Sequence, residues 1–166
     1  MKLRKLTLIT SLTLLVASAW AQSKPSGVLS ADELKKVAPT SFFYRGQSGG
    51  VQLRNTGGIR TKDQKFVLAG MVDTSGYASA VAEKYQGFFI TEVKLNVAGS
   101  ELAPGEYGFA FNDEKFTITD VGANDVLSGT SNKDQDLKHP VPLKMVEEGG
   151  EYRLYAGKKY VTVKVE

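Results

Sequence analysis

From Pro39 onward, apolar positions recur every second residue or gather in short blocks, and Gly-, Asn- and Asp-rich stretches separate them. That period predicts strands joined by turns. Ser41 to Arg45 is a short aromatic run. Val51-Gln52-Leu53-Arg54 alternates, and Asn55-Thr56-Gly57-Gly58 predicts a hairpin turn leading into Ile59-Arg60-Thr61. Lys65 to Val72 is a continuous apolar run, read as a strand covered on both faces. Phe88 to Val97 reads as one long strand, with Phe89, Thr91, Val93, Leu95 and Val97 buried and Glu92, Lys94 and Asn96 wet. Glu106–Phe111 and Phe116–Val121 flank Asn112-Asp113-Glu114-Lys115 as a hairpin. Residues 122–140 are polar and predict the longest loop. The chain closes as a meander: Val141–Glu147, Glu151–Tyr155 and Lys159–Val165, with turns at 148–150 and 156–158.

Two segments depart from this grammar. Ser30-Ala31-Asp32-Glu33 is a capping box, in which the Ser30 hydroxyl accepts from the N3 amide while Glu33 reaches back. It predicts a short helix to about Val37, stopped by Pro39. Thr74 to Gln86 predicts a second helix, because Tyr77, Val81 and Tyr85 recur every four residues and Gly87 ends the pattern. About eight strands at hairpin spacing with one or two short helices predict a mainly β fold: a single antiparallel β-sandwich or small β-barrel.

One corner carries a further signal. In Leu102-Ala103-Pro104-Gly105-Glu106-Tyr107, Pro then Gly suits a type II turn, and the tyrosine can pack back over the leucine. This L-x-P-G-x-Y pattern resembles the turn-and-tyrosine corner of immunoglobulin-like secreted β-sandwich modules. The resemblance covers these six residues, and it implies a sandwich corner rather than any activity.

The amino terminus changes what composition means. Lys2, Arg4 and Lys5 precede an apolar run from Leu6 to Val16, and Ala19-Trp20-Ala21 supplies a small-x-small cleavage pattern. Residues 1–21 therefore read as a secretory signal peptide; the apolar run is shorter than the about 20 residues of a membrane span. Residues 22–29 (QSKPSGVL) read as a flexible leader, and 30–166 as one β-rich domain. The whole chain has 21 Lys+Arg against 18 Asp+Glu. Cleavage removes three basic residues and no acidic one, which leaves 18 of each sign. A nucleic-acid partner would call for a basic excess, and none survives. Zero net charge also removes long-range self-repulsion. The chain has no cysteine, so thiol catalysis, Cys-ligated metal and disulfides are excluded, and the core must stabilise the domain alone. With no Asn-x-Ser/Thr acceptor either, these features suit a bacterial periplasmic or extracellular protein.

Few residues carry candidate chemistry. His139 is the sole histidine and lies in His139-Pro140-Val141-Pro142, an extended loop. Gly46-Gln47-Ser48-Gly49-Gly50 matches G-x-S-x-G, but a strand follows it where a nucleophile elbow needs a helix, so a glycine-rich turn is expected. Asn132-Lys133-Asp134-Gln135-Asp136 places oxygens at alternate positions. Asp134 and Asp136 are thus candidate calcium ligands, with Asp120 and Asp125 as further acids. The loop lacks the glycine and terminal acid of an EF-hand. No other cofactor is expected.

The sequence thus predicts an exported, non-enzymatic binding or adhesion-type module. Its partner would be an envelope protein or glycan, met through loops such as 46–50, 73–77 and 122–140. The alternatives are a structural subunit that self-associates through strand edges and a carboxylate-based hydrolase.

Overall fold

A computed structural model describes residues 24–166; the expected signal peptide lies outside the described residues. The fold is a mainly β sandwich of two antiparallel sheets, and it is not a closed barrel. In chain order the elements are β1 (Gly27–Val28), α1 (Ala31–Val37), β2 (Ser41–Tyr44), β3 (Gln47–Arg60), β4 (Phe66–Val72), α2 (Ser79–Ala82), β5 (Gly87–Thr91), β6 (Leu95–Val97) and β7 (Ser100–Leu102). Then follow β8 (Gly105–Asn112), β9 (Lys115–Asp120), β10 (Asp125–Thr130), β11 (Asn132–Lys133), β12 (Val141–Glu148), β13 (Glu151–Gly157) and β14 (Lys159–Val165). The larger sheet runs β1-β3-β4-β5-β8-β9-β10, with β2 also pairing β3. The smaller runs β12-β13-β14-β6-β7, with β11 also pairing β14.

Two cores follow from the strand pattern. Between the sheets, Ile59, Val67, Phe89, Leu95, Phe109, Phe116, Ile118, Leu154 and Val161 pack with no exposed surface. On the outer face of the larger sheet, Leu29, Leu34, Phe42, Tyr44, Leu68, Tyr85 and Phe88 form a second core. It is roofed by α1, β2 and the 73–86 segment. The apolar run of β4 feeds both cores, Val67 and Ala69 inward and Leu68 and Val72 outward, as its lack of alternation predicts. At Gly57 the backbone of β12 crosses β3; a Cβ there would collide with the Met145 amide, so only glycine lets the two sheets approach.

Several expected elements form. The Ser30 hydroxyl accepts from the Glu33 amide, Glu33 reaches back to the Ser30 amide, and α1 ends at Val37, with Ala38 extended before Pro39. The β8–β9 hairpin and the final β12-β13-β14 meander lie where the pattern puts them. At the sandwich corner, the Tyr107 hydroxyl donates to the Ala103 carbonyl at 2.9 Å and Leu102 is buried, but Gly105 is not at positive φ and opens β8, so Pro104-Gly105 makes no type II turn.

Others differ. Residues 55–58 make no hairpin turn: β3 continues, and Gln52–Asn55 bulge out of register against β4, held by the Thr56 hydroxyl on the Gln52 carbonyl and by Asn55 on Gln52. The long strand at 88–97 is two strands in different sheets. The Thr91 hydroxyl donates to the Val93 carbonyl, turning the chain across the sandwich. Phe88 is buried in the second core, so that face of β5 is dry. The helix expected at 74–86 shrinks to Ser79–Ala82. Ser75 is caught in a turn by the Asp73 carboxylate, Tyr77 N–H bonds Thr74, and no side chain caps the helix. Tyr77, Val81 and Tyr85 still dock together on the sheet. The 122–140 loop contains β10 and β11, because β10 pairs along β9. The leader is held from Lys24 onward: β1 pairs with Ile59 and Arg60, Leu29 is buried, and the Lys24 and Pro25 carbonyls accept from Gln64 and Arg60.

Candidate functional site

The roof over the second core is assembled from side chains that hold segments distant in sequence. Tyr44 and Tyr85 stack with ring centroids 3.9 Å apart, and Tyr77 meets Tyr85 edge-on at 5.3 Å. The Tyr44 hydroxyl lies 2.6 Å from the Thr119 hydroxyl. The Tyr77 hydroxyl reaches the Tyr44 and Gln47 carbonyls at 3.1 and 3.0 Å, closing over the β2–β3 turn. Burial raises all three phenol pKa values. Gln86 fixes the far end of the roof to β8: its amide nitrogen donates to Phe111 O, and its amide oxygen accepts from Phe111 N–H.

The roof stops there: Thr119 lies beneath Tyr44, while Lys115 on β9 and Ser128 and Thr130 on β10 stay exposed. A groove of about 410 Å³ results, lined by Glu83, Lys84, Asn112, Lys115, Thr117, Asp125, Val126, Leu127 and Ser128. The strand ladder sets its floor, since Ser128 pairs with Thr117 and Thr130 with Lys115. Asn112 forms a wall, donating to the Glu83 carbonyl and accepting from Gln86. Lys84 crosses to Asp125 at 3.0 and 3.3 Å from its two carboxylate oxygens. The Thr117 hydroxyl is buried and meets no hydrogen-bonding partner among the described residues. Two cations face two anions, so the lining is balanced in charge and rich in donors and acceptors.

A larger cavity, about 560 Å³, lies at the end of the sandwich near Arg60, Glu151 and Lys164. Four of its lining ions are engaged, Arg60 with Glu33, Lys164 with Glu151 and Glu166 with Lys94, while Lys62 and Asp63 make no ion pair among the described residues. The β9–β10 groove lies where the roof over the outer sheet face stops, and it is the better candidate.

The residues singled out in the sequence are dispersed. Arg45 and Gly46 form a two-residue turn, both at positive φ, and Ser48 follows exposed on β3 opposite Phe43. Of the glycine-rich run only Gly46 lies in the hairpin turn; Gln47 to Gly50 are strand, paired with β2, where a turn was expected. His139 is exposed just before β12. Asp134 accepts from the Asp136 amide and the Tyr155 hydroxyl at 2.9 and 2.8 Å, and the tyrosine bond is the main cause of its lowered pKa. Asp120 accepts from the Gly122 and Asn124 amides and from the Asn124 side chain, whose bond is the main reason its pKa falls. Asp125 is paired with Lys84. These acids cap their own loops, and no group of three metal-ligating side chains forms among the described residues.

Sequence reasoning missed Lys84, Asn112, Lys115, Thr117 and Ser128 as site residues. They come from three separate segments, and only the interest in 122–140 touched the groove, through Asp125 to Ser128. No protein-family model, curated protein or solved structure matches the chain.

Proposed function

We propose that this chain is an exported, non-enzymatic binding module of the bacterial envelope, and that its ligand lies in the β9–β10 groove. One observation carries the reading: the roof that covers the outer sheet face ends at Lys84–Gln86 and leaves a groove where Lys84, Asn112, Lys115, Asp125 and Ser128 surround an apolar floor. The exposed Lys115 and Ser128 side chains favour a ligand that brings many hydroxyls. Balanced charge in the lining gives a polyanion no advantage. The ligand class supported best is therefore a glycan of the envelope. The export reading rests on residues 1–21.

The test is an amide-resolved NMR titration of residues 22–166 with soluble peptidoglycan fragments and with oligosaccharides released from lipopolysaccharide. Shifts confined to 83–84, 112–117 and 125–128 are expected with one of them. Lys115→Ala should weaken that binding roughly tenfold or more, the value of a charge-assisted hydrogen bond. Shifts elsewhere, or none with either probe, would discard the groove as a glycan site.

A further inference from the structure

Sheet edges are where a β protein is open to strand addition, because every second residue there turns its N–H and C=O away from the sheet. The edges of this fold are unequally guarded. β1 is two residues long and tied down by Arg60 and Gln64, and β7 has three residues. β2 has four and is anchored past its end by the Arg45 amide on the Val121 carbonyl. β12 carries Pro142, Lys144, Glu147 and Glu148 and an irregular register, the usual guards of an edge.

β10, Asp125–Thr130, has neither proline nor lysine, and it ends the larger sheet. Its one charge, Asp125, is engaged by Lys84 and lies before the bulge at Val126. Beyond the bulge the pairing with β9 is regular from Leu127 to Thr130. The Ser131 amide donates to the Glu114 carbonyl. By antiparallel alternation, Gly129 and Leu127 then also bond toward β9, and Ser128 and Thr130 direct their backbone groups outward. Both side chains are exposed, small and hydroxylated.

We propose that β10 is a dimerisation edge whose partner is β10 of a second copy, antiparallel about a twofold axis at Gly129. That axis sets Ser128 opposite Thr130 of the other copy, and Thr130 opposite its Ser128. Four main-chain hydrogen bonds form between the outward groups, and Ser–Thr cross-strand pairs flank them. Gly129 faces Gly129 on the axis. The inner side of Gly129 lies against Ala98, so no side chain is needed there. The antiparallel sense carries the Asp125 end of each strand toward the end where its partner has exposed Lys133. Equal numbers of each charge in the mature chain leave no long-range repulsion to resist the pairing. The two larger sheets become one continuous sheet, and the two β9–β10 grooves meet across the axis. The dimer does not depend on what the groove binds.

The experiment is sedimentation velocity on residues 22–166 over a concentration series, without ligand. The unaltered chain should move from monomer to dimer as concentration rises. The double variant Ser128→Lys with Thr130→Lys sets like charges opposite each other in both pairs, and it should stay monomeric with an unchanged urea midpoint. The double variant Ser128→Glu with Thr130→Glu should do the same. An equimolar mixture of the two should form a heterodimer, because Lys then faces Glu at every pair. A monomeric unaltered chain at all concentrations would overturn the proposal. So would a lysine variant that dimerises as well as the parent, or a mixture that fails to associate.

Discussion

The two cores of this molecule are built on different rules. Between the sheets, Phe109, Phe89, Phe116, Ile118, Leu95 and their neighbours pack as hydrocarbon against hydrocarbon. On the outer face, Tyr44, Tyr77 and Tyr85 combine ring stacking with hydroxyl bonds to Thr119 and to main-chain carbonyls. The first core needs only that each strand present apolar residues inward, and it extends as far as the two sheets overlap. The second adds to its apolar members the hydroxyl tips of Tyr44 and Tyr77, which reach specific partners and tie the roof to β3 and β9. Its roof ends where Gln86 grips β8, and the remaining sheet face is left as a groove. The lesson is that a polar-tethered layer makes a boundary, and a boundary on a sheet face is where a site arises.

The largest expected effect breaks the apolar core. Phe109→Ala removes a side chain with no exposed surface and should cost about 3–5 kcal/mol of unfolding free energy, read from urea denaturation. A cost below about 1 kcal/mol would mean that the inter-sheet packing is loose.

A smaller effect sharpens the contrast within the roof. Tyr44→Phe leaves the Thr119 hydroxyl without its bond and should cost about 1 kcal/mol. Tyr85→Phe removes a buried hydroxyl that has no partner, so it should be neutral or stabilising. If both cost the same, the roof would depend on ring packing and its hydroxyl bonds would count for little.

The smallest effect appears only in acid. The backbone hydrogen bond at Ser30, followed by the Arg60 guanidinium at 2.9 Å and the Ser30 hydroxyl, lowers the Glu33 pKa from 4.5 to about 2. A depressed carboxylate stabilises the fold fully above 4.5 and loses that contribution as pH falls through about 2. Arg60 is only 4% exposed, so this pair holds α1 and the leader to β3. Glu33→Gln should therefore flatten part of the stability loss between pH 4.5 and 2, measured by denaturation across that window. An identical acid profile in the variant would remove Glu33 from the account.

Local rules were enough for much of the fold. The capping box at Ser30–Glu33, the double-sided β4, the β8–β9 hairpin and the final meander depend on neighbours a few residues apart, and each was legible in order along the chain. The tyrosine tether of the L-x-P-G-x-Y corner formed for the same reason, since Tyr107 reaches back only four residues, although the type II turn did not.

What could not be read depends on contacts between distant residues. Residues 88–97 alternate evenly, yet the bend at Thr91–Val93 sends β6 to the other sheet, and alternation fixes faces without fixing neighbours. Residues 125–130 have loop composition and become a strand because β9 offers a free edge. The period-four tyrosines dock as expected, but the turns at 73–77 confine the helix to Ser79–Ala82. The sequence by itself determined the β class, the two-sided burial of β4 and equal numbers of each charge over residues 22–166, because composition and short-range pattern decide these. The tertiary structure decided where the roof ends, which edge stays open and that Lys84, Lys115, Thr117 and Ser128 share one groove. Those follow from pairing across tens of residues, and no local pattern encodes it.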